Sequence, residues 1–141
     1  MGLDNLGDMH YTDSDGYCCI HHAIKNNHTQ LVKMLLTHDR ELIYFQVEDT
    51  QRDSALHLIA ACGNVSMMKV VSDYDPDFSV QNLLGDTPLH VASRSGDQKM
   101  TMLLINLCQS RLIFEAVNKA GKTAIDVCSD LRLKSEMKAT I

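Results

Sequence analysis

Tryptophan is absent, and three phenylalanines and four tyrosines are the whole aromatic complement of this 141-residue chain. Few ring platforms are therefore available for stacking on bases. A basic excess is missing too: thirteen Lys and Arg stand against eighteen Asp and Glu, a formal net charge of -5. No basic stripe with interleaved aromatics runs along the chain, so direct nucleic-acid binding is not expected. No apolar run approaches the roughly 18 to 20 residues that cross a bilayer, so membrane insertion is not expected either. The opening "MGLDNLGDMH" has neither the basic segment nor the apolar core of a secretory leader. Met1 and Gly2 begin as a myristoylation signal does, but Leu6 stands where Ser or Thr is wanted. Five cysteines, an odd number at irregular spacing, do not make a disulfide framework. Reduced thiols in the cytoplasm are expected, with the nucleus as a second location.

What is present suits an ordinary folded domain. Hydrophobic residues at 45% and charged residues at 22% exclude disorder and a fibrous class. A chain of this length buries roughly two thirds of its unfolded surface, enough for a core without covalent staples. Charge is uneven along it. Residues 1 to 16 carry Asp4, Asp8, Asp13 and Asp15 with no Lys or Arg, whereas 119 to 141 hold five basic side chains against three acidic ones. Opposite signs at the two ends bear on how a partner is oriented.

Internal repetition organises the rest. "CCIHHAIKNNH" from 18, "SALHLIAACGN" from 54, "TPLHVASRSGD" from 87 and "TAIDVCSDLRL" from 123 align without gaps. Their first column reads Cys18, Ser54, Thr87, Thr123, and the fourth His21, His57, His90, Asp126. The starts lie 36, 33 and 36 residues apart. A second periodic stretch follows three of them, at 29 to 38, 65 to 74 and 98 to 107. Apolar residues there, such as Leu31, Met34 and Leu35 or Met100, Leu103 and Leu104, recur at i, i+3, i+4 and predict a second helix. Asn64 and Asp97 stand ahead of two of these as N-caps. Turn residues at 13 to 16, 82 to 86 and 118 to 121 separate the units. Stacking supplies the core, with Val32, Met68 and Thr101 in one row and Leu35, Val71 and Leu104 in another. The methionines are expected mostly as packing residues in these rows.

The third copy, "GDTPLHVASRSGD", resembles the ankyrin repeat through Gly85, Thr87, Pro88, Leu89, His90 and Ala92. The resemblance covers about 13 to 141 and implies an all-α solenoid of stacked helix pairs with β-hairpin-like turns. It implies an N-terminal extension at 1–12 and repeats at about 13–48, 49–81, 82–117 and 118–141, the last a degenerate C-terminal cap. Two departures carry backbone consequences. Arg52 replaces a turn glycine where positive φ is favoured, and Asn27 replaces the glycine that stops the first helix, a conformation Asn tolerates.

Two cysteines and two histidines within "CCIHH" suggest zinc or thiol chemistry at first sight. Repeat positions account for the cluster, and helical geometry turns Cys19 and His21 away from the face shared by Cys18 and His22. No metal, no cofactor and no catalytic group are expected. The resemblance instead gives His21, His57 and His90 a hydrogen bond between adjacent repeats. "AGKT" at 120 to 123 lacks the upstream glycine of a phosphate loop, since Ala116 stands there.

The resemblance implies a non-catalytic adaptor or inhibitor that binds another protein through its concave surface, inhibitors of the IκB kind being one subtype, and acts as a monomer. An alternative is a targeting or regulatory module of a larger enzyme or channel; the remote one is an enzyme using Cys18, Cys19, His21 and His22. The family's variable positions select the contact residues. They are Asp15, Tyr17 and Lys25 in the first repeat, Gln51 and Asp53 in the second, Leu83, Leu84, Asp86 and Arg94 in the third, and Lys119 and Lys122 in the fourth. Leu83 and Leu84 stand out, because adjacent leucines at a turn tip forfeit burial unless a partner covers them.

Overall fold

A computed structural model describes residues 16–47, 52–108 and 112–140. Three helix pairs follow one another: α1 (Cys19–Lys25) with α2 (Thr29–His38), α3 (Ala55–Cys62) with α4 (Val65–Ser72), and α5 (Pro88–Ser95) with α6 (Gln98–Leu107). A 3-10 turn at Arg40–Tyr44 follows α2, a short α7 (Leu112–Glu115) follows α6, and α8 (Leu131–Thr140) comes last. Among the described residues there is no strand, only an isolated antiparallel bridge between Gln46 and Ser54. The chain is all-α, as the periodicity predicts.

Each pair forms because its two helices begin and end on local signals. Asn64 Oδ1 accepts from the Met67 N–H at 3.0 Å and Asp97 Oδ1 from the Met100 N–H at 3.1 Å, so both act as the expected N-caps. His28, in the same column, makes no such bond, leaving α2 without a side-chain cap. Gly63 and Gly96 stop α3 and α5 at φ 69 and 71, and Asn27 does the same for α1 at φ 58. The asparagine keeps the left-handed stop that glycine supplies in the other two units.

The helices stack in two rows, α1, α3 and α5 in one and α2, α4 and α6 in the other. Val32, Met68 and Thr101 are buried, as are Leu35, Val71 and Leu104, so both expected rows lie inside. The stripe on α2 is rotated from the one read off the periodicity. Leu31 and Met34 face solvent, Met34 at 51%, and Val32, Leu35 and Leu36 take the core. Both triplets have i, i+3, i+4 spacing, and only the neighbouring helix decides between them. Met67, Met68, Met100 and Met137 are fully buried.

The fourth unit is abbreviated. Residues 124 to 127 form turns instead of a first helix, and α8 begins at Leu131, three residues earlier than the repeat alignment places it. Asp130 accepts from the Arg132 N–H at 2.9 Å and the Leu133 N–H at 3.4 Å, starting the helix there. Leu133 and Met137 turn inward. Met137 sulfur lies 3.8 Å from Ser93 Oγ, and Gln98 Nε2 donates to Glu136 at 2.7 Å, seating α8 on the third pair.

Candidate functional site

The motif histidines set the turns on the helices. In each, Nδ1 accepts the backbone N–H three residues upstream: Cys18 at 3.0 Å, Ser54 at 3.1 Å and Thr87 at 3.1 Å. With Nδ1 an acceptor, the ring proton is on Nε2 and donates forward. His57 Nε2 donates to the Asp86 carbonyl at 2.7 Å and His90 Nε2 to the Lys122 carbonyl at 2.9 Å. Each ring therefore ties one helix start to the next unit's turn. His21 follows the rule with a displaced acceptor, the Phe45 carbonyl at 2.8 Å. Asp126 performs only the backward half, accepting from the Thr123 N–H at 3.1 Å, and a carboxylate has no proton to hand forward.

The third and fourth tips are copies of one another. Asn82 Oδ1 accepts from the Leu84 and Asp86 N–H groups, and Asn118 Oδ1 from the Ala120 and Lys122 N–H groups, all at 3.0 Å. Gly85 and Gly121 take φ 80 and 75. In the second unit Arg52 occupies the same column at φ 55, so the arginine accepts the left-handed conformation. A ladder that the motif alignment does not display runs beside these turns. Gln46 Nε2 donates to the Gln81 carbonyl at 3.3 Å, and Gln81 Nε2 to the Val117 carbonyl at 3.2 Å. Gln81 and Val117 stand six residues ahead of Thr87 and Thr123, whereas Gln46 stands eight ahead of Ser54, so the gapless alignment hides the ladder.

Around this frame the expected contact residues are placed unevenly. Leu83 and Leu84 project at 47% and 49% exposure, joined by Val117 at 48%, which sequence reasoning did not select. Lys119 and Lys122 are exposed on the next tip, and the Lys119 N–H donates to the Leu84 carbonyl at 2.9 Å, so the third and fourth tips abut. Tyr17 and Lys25 pair with each other in the first unit, the ammonium 4.2 Å from the ring centroid. Asp53 is half-buried and accepts from Asn82 Nδ2 at 2.8 Å. Asp15 and Gln51 lie outside the described residues.

Asp86 is different: it is 1% exposed. Its carboxylate receives Arg94 at 2.6 Å and Asn118 Nδ2 at 2.9 Å, and its carbonyl receives His57. Burial pushes the carboxyl up, but the hydrogen bonds from Arg94 and Asn118 and the Arg94 charge hold it below its ordinary value. Asp86 is thus an internal joint between units, and a contacting surface does not include it. Arg94 keeps an exposed side chain while neutralising that carboxylate.

The cysteine and histidine cluster is dispersed by the same frame. Both ring nitrogens of His21 are engaged by backbone groups, whereas His22 is exposed. Burial raises the Cys18 thiol above its ordinary value, and burial with the Cys18 charge raises Cys19, which disfavours the thiolates that nucleophilic or metal chemistry needs. Among the described residues no three His, Cys, Asp or Glu side chains are placed to hold a metal ion. None of the helices there is long and apolar enough to cross a membrane.

A family model described as ankyrin repeats (3 copies) matches residues 3–82 and 56–135. Among curated proteins, the mouse protein phosphatase 1 regulatory subunit 12A is 36% identical over 78 residues, 55% of this chain and 7% of its own length. The zebrafish ankyrin repeat and SOCS box protein 11 is 30% identical over 125 residues, 82% of this chain and 37% of its own. A Caenorhabditis elegans homolog of transient receptor potential cation channel subfamily A member 1 is 32% identical over 93 residues, 66% of this chain and 8% of its own. The chain therefore spans well under two thirds of each of these relatives.

Proposed function

The chain belongs to the ankyrin-repeat family, and from that premise we propose that it is a non-catalytic adaptor or inhibitor that engages its partner through the repeat tips and the exposed ends of the first-helix row. Ankyrin repeats bind other proteins, so the interaction role follows from the family. One observation carries the finer reading: Leu83 and Leu84 stay half exposed at the third tip although the rows beneath them are closed. Apolar surface of this kind gains by being covered. The five cysteines, all free thiols, support a reducing compartment such as the cytoplasm or nucleus.

A second reading is favoured by the relatives. A phosphatase regulatory subunit and a cation channel homolog match over a small part of their lengths, which supports a targeting or regulatory module within a larger polypeptide. Affinity capture with the intact chain, followed by mass spectrometry, tests both. A specific partner is expected to be recovered by the native chain and lost with Leu83→Ser/Leu84→Ser. Failure to recover any specific protein would defeat the adaptor reading.

A further inference from the structure

The chemistry of the third and fourth tips is more specific than a general binding face. Three half-exposed apolar side chains, Leu83, Leu84 and Val117, belong to segments joined by the Lys119 to Leu84 and Gln81 to Val117 bonds. Together they make up an apolar ledge across two tips that abut. On its fourth-unit flank stand the exposed Lys119 and Lys122. Asp126 lies near Lys122, its carboxyl held low by its Thr123 hydrogen bonds first and by the Lys134 and Lys122 charges after them, and Glu115 is exposed two residues before Val117. The acid nearest by sequence on the third tip, Asp86, is buried and satisfied by Arg94 and Asn118, so it does not neutralise the ledge from outside. On the other flank Arg52 and Asp53 set opposite charges side by side. Between residues 116 and 125 the fourth tip carries Lys119 and Lys122 and no acid, in a chain whose net charge is -5.

We propose that the third and fourth tips dock an extended acidic segment of a partner protein, its apolar side chains covering Leu83, Leu84 and Val117 and its carboxylates facing Lys119 and Lys122. The proposal rests on the protein-binding reading and names the partner's chemistry and polarity. Apolar contacts supply residence and the lysines supply direction, since rim charges chiefly steer association and select sign.

Random peptides about twelve residues long, which reach about 40 Å when extended, displayed on phage and selected against the intact chain, provide the test. Enriched sequences are expected to carry net negative charge with at least two apolar side chains. Their affinity is expected to fall about tenfold or more in Leu83→Ser/Leu84→Ser and in Lys119→Glu/Lys122→Glu, with melting temperatures unchanged. Reversing the peptide's acids to lysine should restore part of the binding to the lysine variant alone. Selection of basic or uncharged peptides, no enrichment, or either variant binding the peptides as tightly as the native chain would overturn the proposal. So would a dimer in sedimentation that the leucine variant abolishes, because the ledge would then serve a second copy. Capture of a full-length partner that survives both double substitutions would remove this docking site while leaving the protein-binding reading intact.

Discussion

Thr101 shows how an irregular residue survives inside a regular row. Its column holds Val32 and Met68, its side chain is fully buried, and its Oγ1 has no hydrogen-bond partner. A buried unpaired hydroxyl costs about 1 to 3 kcal/mol, and valine has nearly its shape without the polar atom. Thr101→Val is therefore expected to raise stability by about 1 kcal/mol, read as a melting temperature higher by about 4 °C. His57 makes a pH-dependent prediction at the same scale. Burial pushes its imidazole below the ordinary value, against the Asp86 carbonyl bond and the Asp53 and Asp86 charges that pull it up. Between the lowered folded value and about 6.5 the unfolded chain binds the proton and the native one does not. This contribution is whole above about pH 6.5 and is lost as pH falls through the folded value. The His57 ring resonances should titrate with a midpoint below about 6.5, and thermal stability should decline on acidification from about pH 7 to 5. A titration midpoint above the ordinary value would reverse the sign.

At the scale of the element, Gly85 and Gly121 separate two costs that usually come together. Both are at left-handed φ, where a Cβ is unfavourable by about 1 kcal/mol. A Cβ on Gly85 would also lie 2.8 Å from the Lys119 backbone nitrogen, whereas one on Gly121 meets nothing within 4 Å. Gly121→Ala is expected to cost about 1 kcal/mol in urea unfolding, and Gly85→Ala clearly more, because the third and fourth tips must separate. Equal costs would mean that the tips do not press on one another. The turn motif and its glycines were legible in "NLLGD" and "NKAG". Their mutual contact was not, because it joins residues more than thirty positions apart.

Across the whole molecule, the stack and its surface are expected to respond independently. Leu104 lies in the buried row with Leu35 and Val71, and Leu104→Ala should cost about 2 to 5 kcal/mol through lost transfer energy and a cavity. A fall in melting temperature of about 10 °C is the expected readout. Leu83→Ser/Leu84→Ser, by contrast, should leave the melting temperature within about 2 °C and act on partner binding. A large drop in the tip variant would show those leucines to be packing residues. The relay of His57 and His90 ends at Asp126 and the glutamine ladder ends at Val117. The fourth unit thus receives hydrogen bonds from the third at these two positions.

The family resemblance supplied the histidine roles at His57 and His90; the sequence by itself determined the class of the fold, the spacing of the units, the caps at Asn64 and Asp97 and the left-handed residue Asn27. Each is a local property, since a 3.6-residue period, a cap or a positive φ is decided by neighbours within one turn of chain. Repetition then made local signals legible by showing them several times. Tertiary structure alone decided which of two equivalent stripes on α2 is buried, that Asp86 is an internal joint, and that Val117 stands beside the tip of Leu83 and Leu84. Those outcomes depend on which surface the adjacent unit covers. The docking face is the remainder of that packing: the apolar and charged side chains that no neighbouring repeat takes in.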